Sequence, residues 1–290
     1  MVVPMLDVSR ISLAQAMKYV VYSFLLVNFA LYIQVDWQIA EHTMRNGGDF
    51  LDWTAAFTTT IDESAWFILL VLLELETYVL SDESLTRGRL MVMHGLRALC
   101  FIFLAHTLYA FASYTYDVSI AEAIPDVSSL CQLLDEEVSF TANIVYTELT
   151  ANNCASLSAA SQFYYLDPPE FIVVTDSAGL VIEKQLAWID LLEAITWLVI
   201  IVVLEINVRL QEKGVSKGRL IKSLNMSKVV LYLMLWGAIA YWIYRGHWMY
   251  AWDELVWIAG FIIIEKNVVD WRDESIEAQA EYESLDAASS

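Results

Sequence analysis

Three observations predict an all-α integral membrane protein of six transmembrane helices, built as three parallel helical-hairpin repeats. The first is composition. Of 290 residues, 58% are hydrophobic and mean hydropathy is +0.50, where a soluble domain is roughly 45–50% apolar. The second is a set of six apolar runs, each near the ~20 residues that a bilayer crossing needs. The third is a motif carried by three of those runs: an acidic residue, Trp four positions on, then Glu eight positions further. It reads Asp62–Trp66–Glu74, Glu193–Trp197–Glu205 and Asp253–Trp257–Glu265. A second polar residue follows each Glu by two positions: Glu76, Asn207 and Asn267. Carboxylates in lipid are costly, so three in register demand an explanation.

The runs are 17–35, 64–80, 90–114, 186–210, 229–244 and 252–269. The first is too long for the core of a cleaved signal peptide and is followed by Asp36 and Trp37, so it reads as a retained signal-anchor helix. The fifth and sixth are short. The fifth is expected to begin near Asn225, and the sixth to absorb part of the 244–251 turn. Basic residues set direction. With a cytoplasmic N-terminus, thirteen of the sixteen Lys and Arg fall inside, and only Arg45, Lys184 and Arg245 fall outside. Both termini are therefore expected in the cytoplasm, with an acidic tail over 271–290. A bacterial inner membrane is the expected location. The net charge of −20 argues against nucleic acid as a partner and against docking on anionic lipid.

The segment 36–61 reads as a loop, and 115–185 as a small mixed α/β extracytoplasmic insert between spans 3 and 4. Within the insert, 120–138 has a helical pattern broken at Pro125. The run 171–181, with Asp176-Ser177-Ala178-Gly179 at its centre, reads as a β-hairpin. Cys131 and Cys154 would meet an oxidising compartment and are expected to form a disulfide. Cys100 lies within a span and reads as a packing residue.

The repetition extends beyond the Trp helices. Thr86-Arg87-Gly88-Arg89-Leu90 precedes the third run and Ser216-Lys217-Gly218-Arg219-Leu220 the fifth. Each first helix carries one basic residue near its inner end: Lys18, Arg97 and Lys228. The hairpins are therefore 1–85, 86–215 with the insert, and 216–270. All three point one way, which implies a pseudo-threefold axis along the membrane normal and polar second helices facing inward.

Two readings of the motif stay open. Glu74, Glu205 and Glu265, 12 residues or about 18 Å beyond the acidic starts, either pair with Lys18, Arg97 and Lys228 to fix helix register, or form a ring that binds a cation or passes protons. Glu76, Asn207 and Asn267 would join that ring. The outer acids Asp62, Glu63, Asp190, Glu193, Asp253 and Glu254 either cap helices or make a cation-attracting rim. Trp66, Trp197 and Trp257 either pack the repeats together or form an aromatic constriction. The expected function is a cation or proton channel or transporter. The alternative is a non-transporting scaffold or sensor whose insert binds a partner or ligand. Self-association as a homo-oligomer is left open. No catalytic constellation, metal spacing or phosphate loop is visible, so neither enzyme activity nor a cofactor is expected. His94 and His106 share one run, and no other run has an interior His to face them across a haem.

Overall fold

The computed structural model describes residues 13–75, 86–167, 171–212 and 218–263. Over the described residues the chain is mostly helical, with one four-stranded sheet. In order come α1 (Leu13–Thr43), α2 (Phe50–Ala56), α3 (Thr58–Glu74), α4 (Arg87–Ile120), a 3-10 helix (Leu130–Glu136), β1 (Ser139–Ala142), β2 (Val145–Glu148), α5 (Cys154–Leu157), β3 (Phe163–Tyr165), β4 (Val173–Asp176), α6 (Ser177–Glu212) and α7 (Arg219–Arg245). A last helix, α8, covers 248–263. Among the described residues, Gln15–Thr43, Arg87–Ile120 and Arg219–Arg245 are long and apolar enough to cross a membrane. Helices α2 and α3 would make a fourth as one span bent by 76°.

The helices outrun their apolar cores. Helix α1 has 31 residues and α6 has 36, about 46 and 54 Å at 1.5 Å per residue. The expected loop over 36–61 is thus largely helical, because α1 runs on to Thr43 and α3 begins at Thr58. Helix α7 starts at Arg219, before the expected Asn225. Helix α8 does absorb the end of the preceding turn, starting at 248. That turn needs Gly246, whose φ of +85° closes the end of α7 in a Schellman pattern. The His247 N–H donates to Trp242 O at 2.8 Å and the Gly246 N–H to Ile243 O at 3.1 Å.

The chain divides into two compact units, Met1–Asn28 with Ile239–Ser290, and Phe29–Ala238. In the first, the start of α1 packs on α8. Phe24 meets Trp252 edge to face at 5.2 Å, and the Asn28 amide donates to the buried Asp253 carboxylate at 2.7 Å. Buried Trp242 fills the space beside His247 and Tyr250. In the second unit, α3 packs on α4 and α4 on α6. Cys100 is buried on α4 as a free thiol.

The sheet also belongs to the second unit, with strand order β2-β1-β4-β3. Strands β1 and β4 are parallel, while β1–β2 and β3–β4 are antiparallel. One face packs on the 3-10 helix and α5 through Leu130, Leu133, Phe140 and Phe163. The expected Cys131–Cys154 disulfide ties those two elements together, with Cα atoms 4.9 Å apart. Of the helical pattern expected over 120–138, only the 3-10 helix forms. Residues 121–129 are irregular around Pro125, which lacks an N–H to continue a helix.

The hairpin expected over 171–181 is absent. Val173–Asp176 is a strand, and Ser177 opens α6 with no intervening residue. The Asp-Ser-Ala-Gly sequence serves as a helix start, with Asp176 Oδ1 accepting the Gly179 N–H at 2.7 Å. A side chain at Gly179 would collide with the Thr175 hydroxyl. Leu180, Glu183, Leu186 and Ala187 then bury one helical face.

Candidate functional site

Helix α3 carries the first Trp–acid copy. The Trp66 indole N–H donates to Asp62 Oδ2 at 3.0 Å, one turn back. This gives the four-residue spacing a structural meaning, since the acid takes the donor of a ring buried in the helix contact. Trp66, Trp197 and Trp257 are all buried, as are Glu63 and Asp253. Trp66 and Trp197 meet edge to face with centroids 6.2 Å apart, which is aromatic packing between α3 and α6. Trp257 lies in the other unit with Asp253, and stacks obliquely on Phe261 at 6.3 Å.

The inner carboxylates differ among themselves. Glu74 is half-buried at the end of α3. Glu205 is exposed and pairs with Arg209 on its own helix at 2.6 Å, the i,i+4 pairing that its spacing allows. Asn207, between the members of that pair, is half-buried. Glu76, Glu265 and Asn267 lie outside the described residues. Lys18, Arg97 and Lys228 are each half-buried, and the Lys18 ammonium sits 5.8 Å from the Tyr22 ring centroid. Among the outer acids, Glu193, Glu254 and Asp190 are half-buried.

Counting from those three basic residues reveals a shared burial register. Seven positions on, Leu25, Leu104 and Leu235 are 0, 2 and 0% exposed. Ten positions on, Asn28, Thr107 and Ala238 are buried. Fourteen positions on stand three aromatics, Tyr32, Phe111 and Trp242. The three helices that carry the Trp–acid motif agree in the same way. Ala65, Thr196 and Val256, just before each Trp, are buried, while Val71, Val202 and Ile262, nine past each acid, are exposed.

Buried polar groups concentrate where α1, α4 and α6 meet the sheet. Asp36 is buried on α1 and accepts the Thr60 N–H of α3 at 2.8 Å. His42 shares a 2.8 Å hydrogen bond with the Ser139 hydroxyl and stacks on Tyr146 at 5.6 Å. The Arg45 guanidinium donates to Glu137 O and to the Ser139 hydroxyl, 3.8 Å from Glu148. Buried Glu183 of α6 accepts the Ile144 N–H at 3.1 Å. This supports a two-residue turn, Asn143–Ile144, in which both φ angles are positive, +58° and +64°. A β-branched residue is strained there. The Thr175 hydroxyl donates to Thr141 O at 2.7 Å, and the Thr115 hydroxyl of α4 to Ala187 O of α6 at 3.0 Å. Tyr146, Asp167, Glu183 and Asp190 all lie within electrostatic range of the Tyr114 hydroxyl.

Sequence reasoning missed Asp36, Asn28, Glu183 and Tyr114. Asn28 and Thr107 were findable, because they hold one place in the count from Lys18 and Arg97. Glu183 had no such signal, since its partner is a backbone N–H 39 residues away. Among the described residues, no group of three or more His, Cys, Asp or Glu is placed to hold a metal. Comparison with protein-family models, with curated proteins and with solved structures found no match.

Proposed function

We propose that this is a six-span membrane protein, built as three parallel hairpins with both termini cytoplasmic, whose extracytoplasmic sheet module receives a ligand or partner and couples it to the spans. The observation that carries the reading is the junction of β4 and α6. Asp176 ends the strand and caps the helix, so a displacement of the sheet is a displacement of a 36-residue helix. Glu183 ties the β1–β2 turn of the same sheet to α6, and His42 and Arg45 tie β1 to the end of α1 and the turn that follows it. The shared burial register supports the hairpin repeat, and the excess of Lys and Arg in the inner segments supports the orientation.

Hydrogen exchange in lipid nanodiscs tests the coupling. In the Cys131→Ser, Cys154→Ser variant, the sheet and the first turns of α6 (177–190) are expected to lose protection together. A sheet that loosens while 177–190 stays protected would sink the proposal.

Cation or proton passage is the second reading, favoured by the buried acids Asp36, Glu63, Glu183 and Asp253. The Trp66–Trp197 contact and the Glu205–Arg209 pair count against an open carboxylate ring. Ion flux in proteoliposomes decides it. Flux in wild type that collapses in a folded Glu74→Gln, Glu205→Gln, Glu265→Gln variant would establish the ring as the path. Flux that is absent, or indifferent to the three substitutions, would remove it.

A further inference from the structure

Helix α2 is a seven-residue helix with no buried residue. Phe50, Leu51 and Trp53 are 79, 63 and 44% exposed, which is unusual for three large apolar side chains on so short an element. Its ends are nevertheless well made. Asp49 Oδ1 accepts the Leu51 N–H at 2.7 Å and the Asp52 N–H at 3.1 Å, and Asp52 Oδ2 accepts the Asp49 N–H at 2.7 Å, which is a closed capping box. The helix is therefore specified, not a frayed loop. At about 100° per residue, Phe50 and Trp53 share one face and Asp52 lies nearly opposite.

The position of α2 identifies what covers that face. It meets α3 at a bend of 76°. With α3 near the membrane normal, α2 lies close to the membrane plane. Trp53 stacks on Phe57 at 6.0 Å, and Phe57 meets the exposed Trp37 of α1 at 6.1 Å. Helices α1 and α2 and the elbow at Phe57 thus bring three aromatic rings to one level, as membrane–water interfaces select. The exposed apolar face of α3, with Ile68 and Val71, continues from the same elbow.

We propose that α2 lies in the bilayer interface, with Phe50, Leu51 and Trp53 among the upper acyl chains and Asp49 and Asp52 toward water. Two acids in a chain of net charge −20 fit a zwitterionic headgroup zone and not an anionic one. The inference rests on the membrane-spanning reading of α3.

Spin labels on single introduced cysteines test it in phosphatidylcholine nanodiscs, through accessibility to oxygen and to a polar nickel chelate. The sites are Phe50→Cys, Val71→Cys and Asn46→Cys. Cys131 and Cys154 are disulfide-bonded and Cys100 is buried, so the labels report alone. The Phe50 label is expected about 5–10 Å below the headgroup boundary, with Val71 deeper and Asn46 in water. Phe50 in water while Val71 is in lipid overturns the interfacial elbow and leaves the span standing. Phe50 as deep as Val71 makes α2 re-entrant and also overturns it. Val71 in water removes the span itself. Leu51→Cys repeats the measurement if Phe50→Cys does not fold.

Discussion

The first turn of α3 has no side-chain cap of its own at Phe57, and Asp36 of α1 accepts the Thr60 N–H in its place. Asp36→Ala is expected to cost about 1–2 kcal/mol, the usual range for a lost cap, read as a lower midpoint of thermal unfolding in detergent. His247 gives a pH signature. Burial, and then the neighbouring Arg245, lower its pKa from the ordinary 6.5. The unfolded chain therefore takes up the proton first. Stability is unaffected by this group well above pH 6.5 and declines as pH falls below 6.5 toward the lowered value. His247→Gln should flatten that part of a stability–pH curve, and an unchanged slope would refute the assignment. Residue-scale roles were legible where partners are near in sequence, as with Glu205 and Arg209. Asp36 and Glu183 were not, because their partners are backbone N–H groups brought up by other elements.

At the scale of elements, apolar length locates helices well and their ends poorly. Hydropathy reports where lipid-compatible residues stop, whereas a helix stops where its hydrogen bonds do, and polar turns carry α1, α6 and α7 beyond the apolar limits. The segment 171–181 reads as a hairpin because Asp, Ser and Gly serve both turns and helix starts. Alternation over so few residues does not separate a second strand from a first helical turn. The disulfide was legible because both cysteines fall in one insert. Its removal should destabilise the sheet by about 3 kcal/mol in the chain-entropy model, measured as the loss of protection in β1 and β4. A loss confined to α5 would show that it braces only its own loop.

For the whole molecule, the threefold motif is visible in the sequence together with the basic residue of each preceding helix, while the burial pattern of those helices is not. Leu25, Leu104 and Leu235 are buried seven positions beyond Lys18, Arg97 and Lys228, on helices whose sequences share little beyond one basic residue. Apolar side chains interchange freely on a face that packs, so a repeat among these helices would persist in burial more than in letters. The proposed six-span arrangement predicts opposite accessibility for two exposed serines, Ser161 and Ser223. A cysteine at Ser161 should react with an impermeant thiol reagent from outside intact cells, and one at Ser223 only after permeabilisation. Equal labelling of both would reject the topology. The strand–helix junction at Asp176 also constrains how this chain can vary over time. One residue added there would turn every side chain of α6 by about 100°, taking Trp197 away from Trp66 and Glu183 away from Ile144. Insertions and deletions among its descendants should gather in the exposed turn at 159–162, while the spacing from Val173 to Glu183 stays constant to the residue.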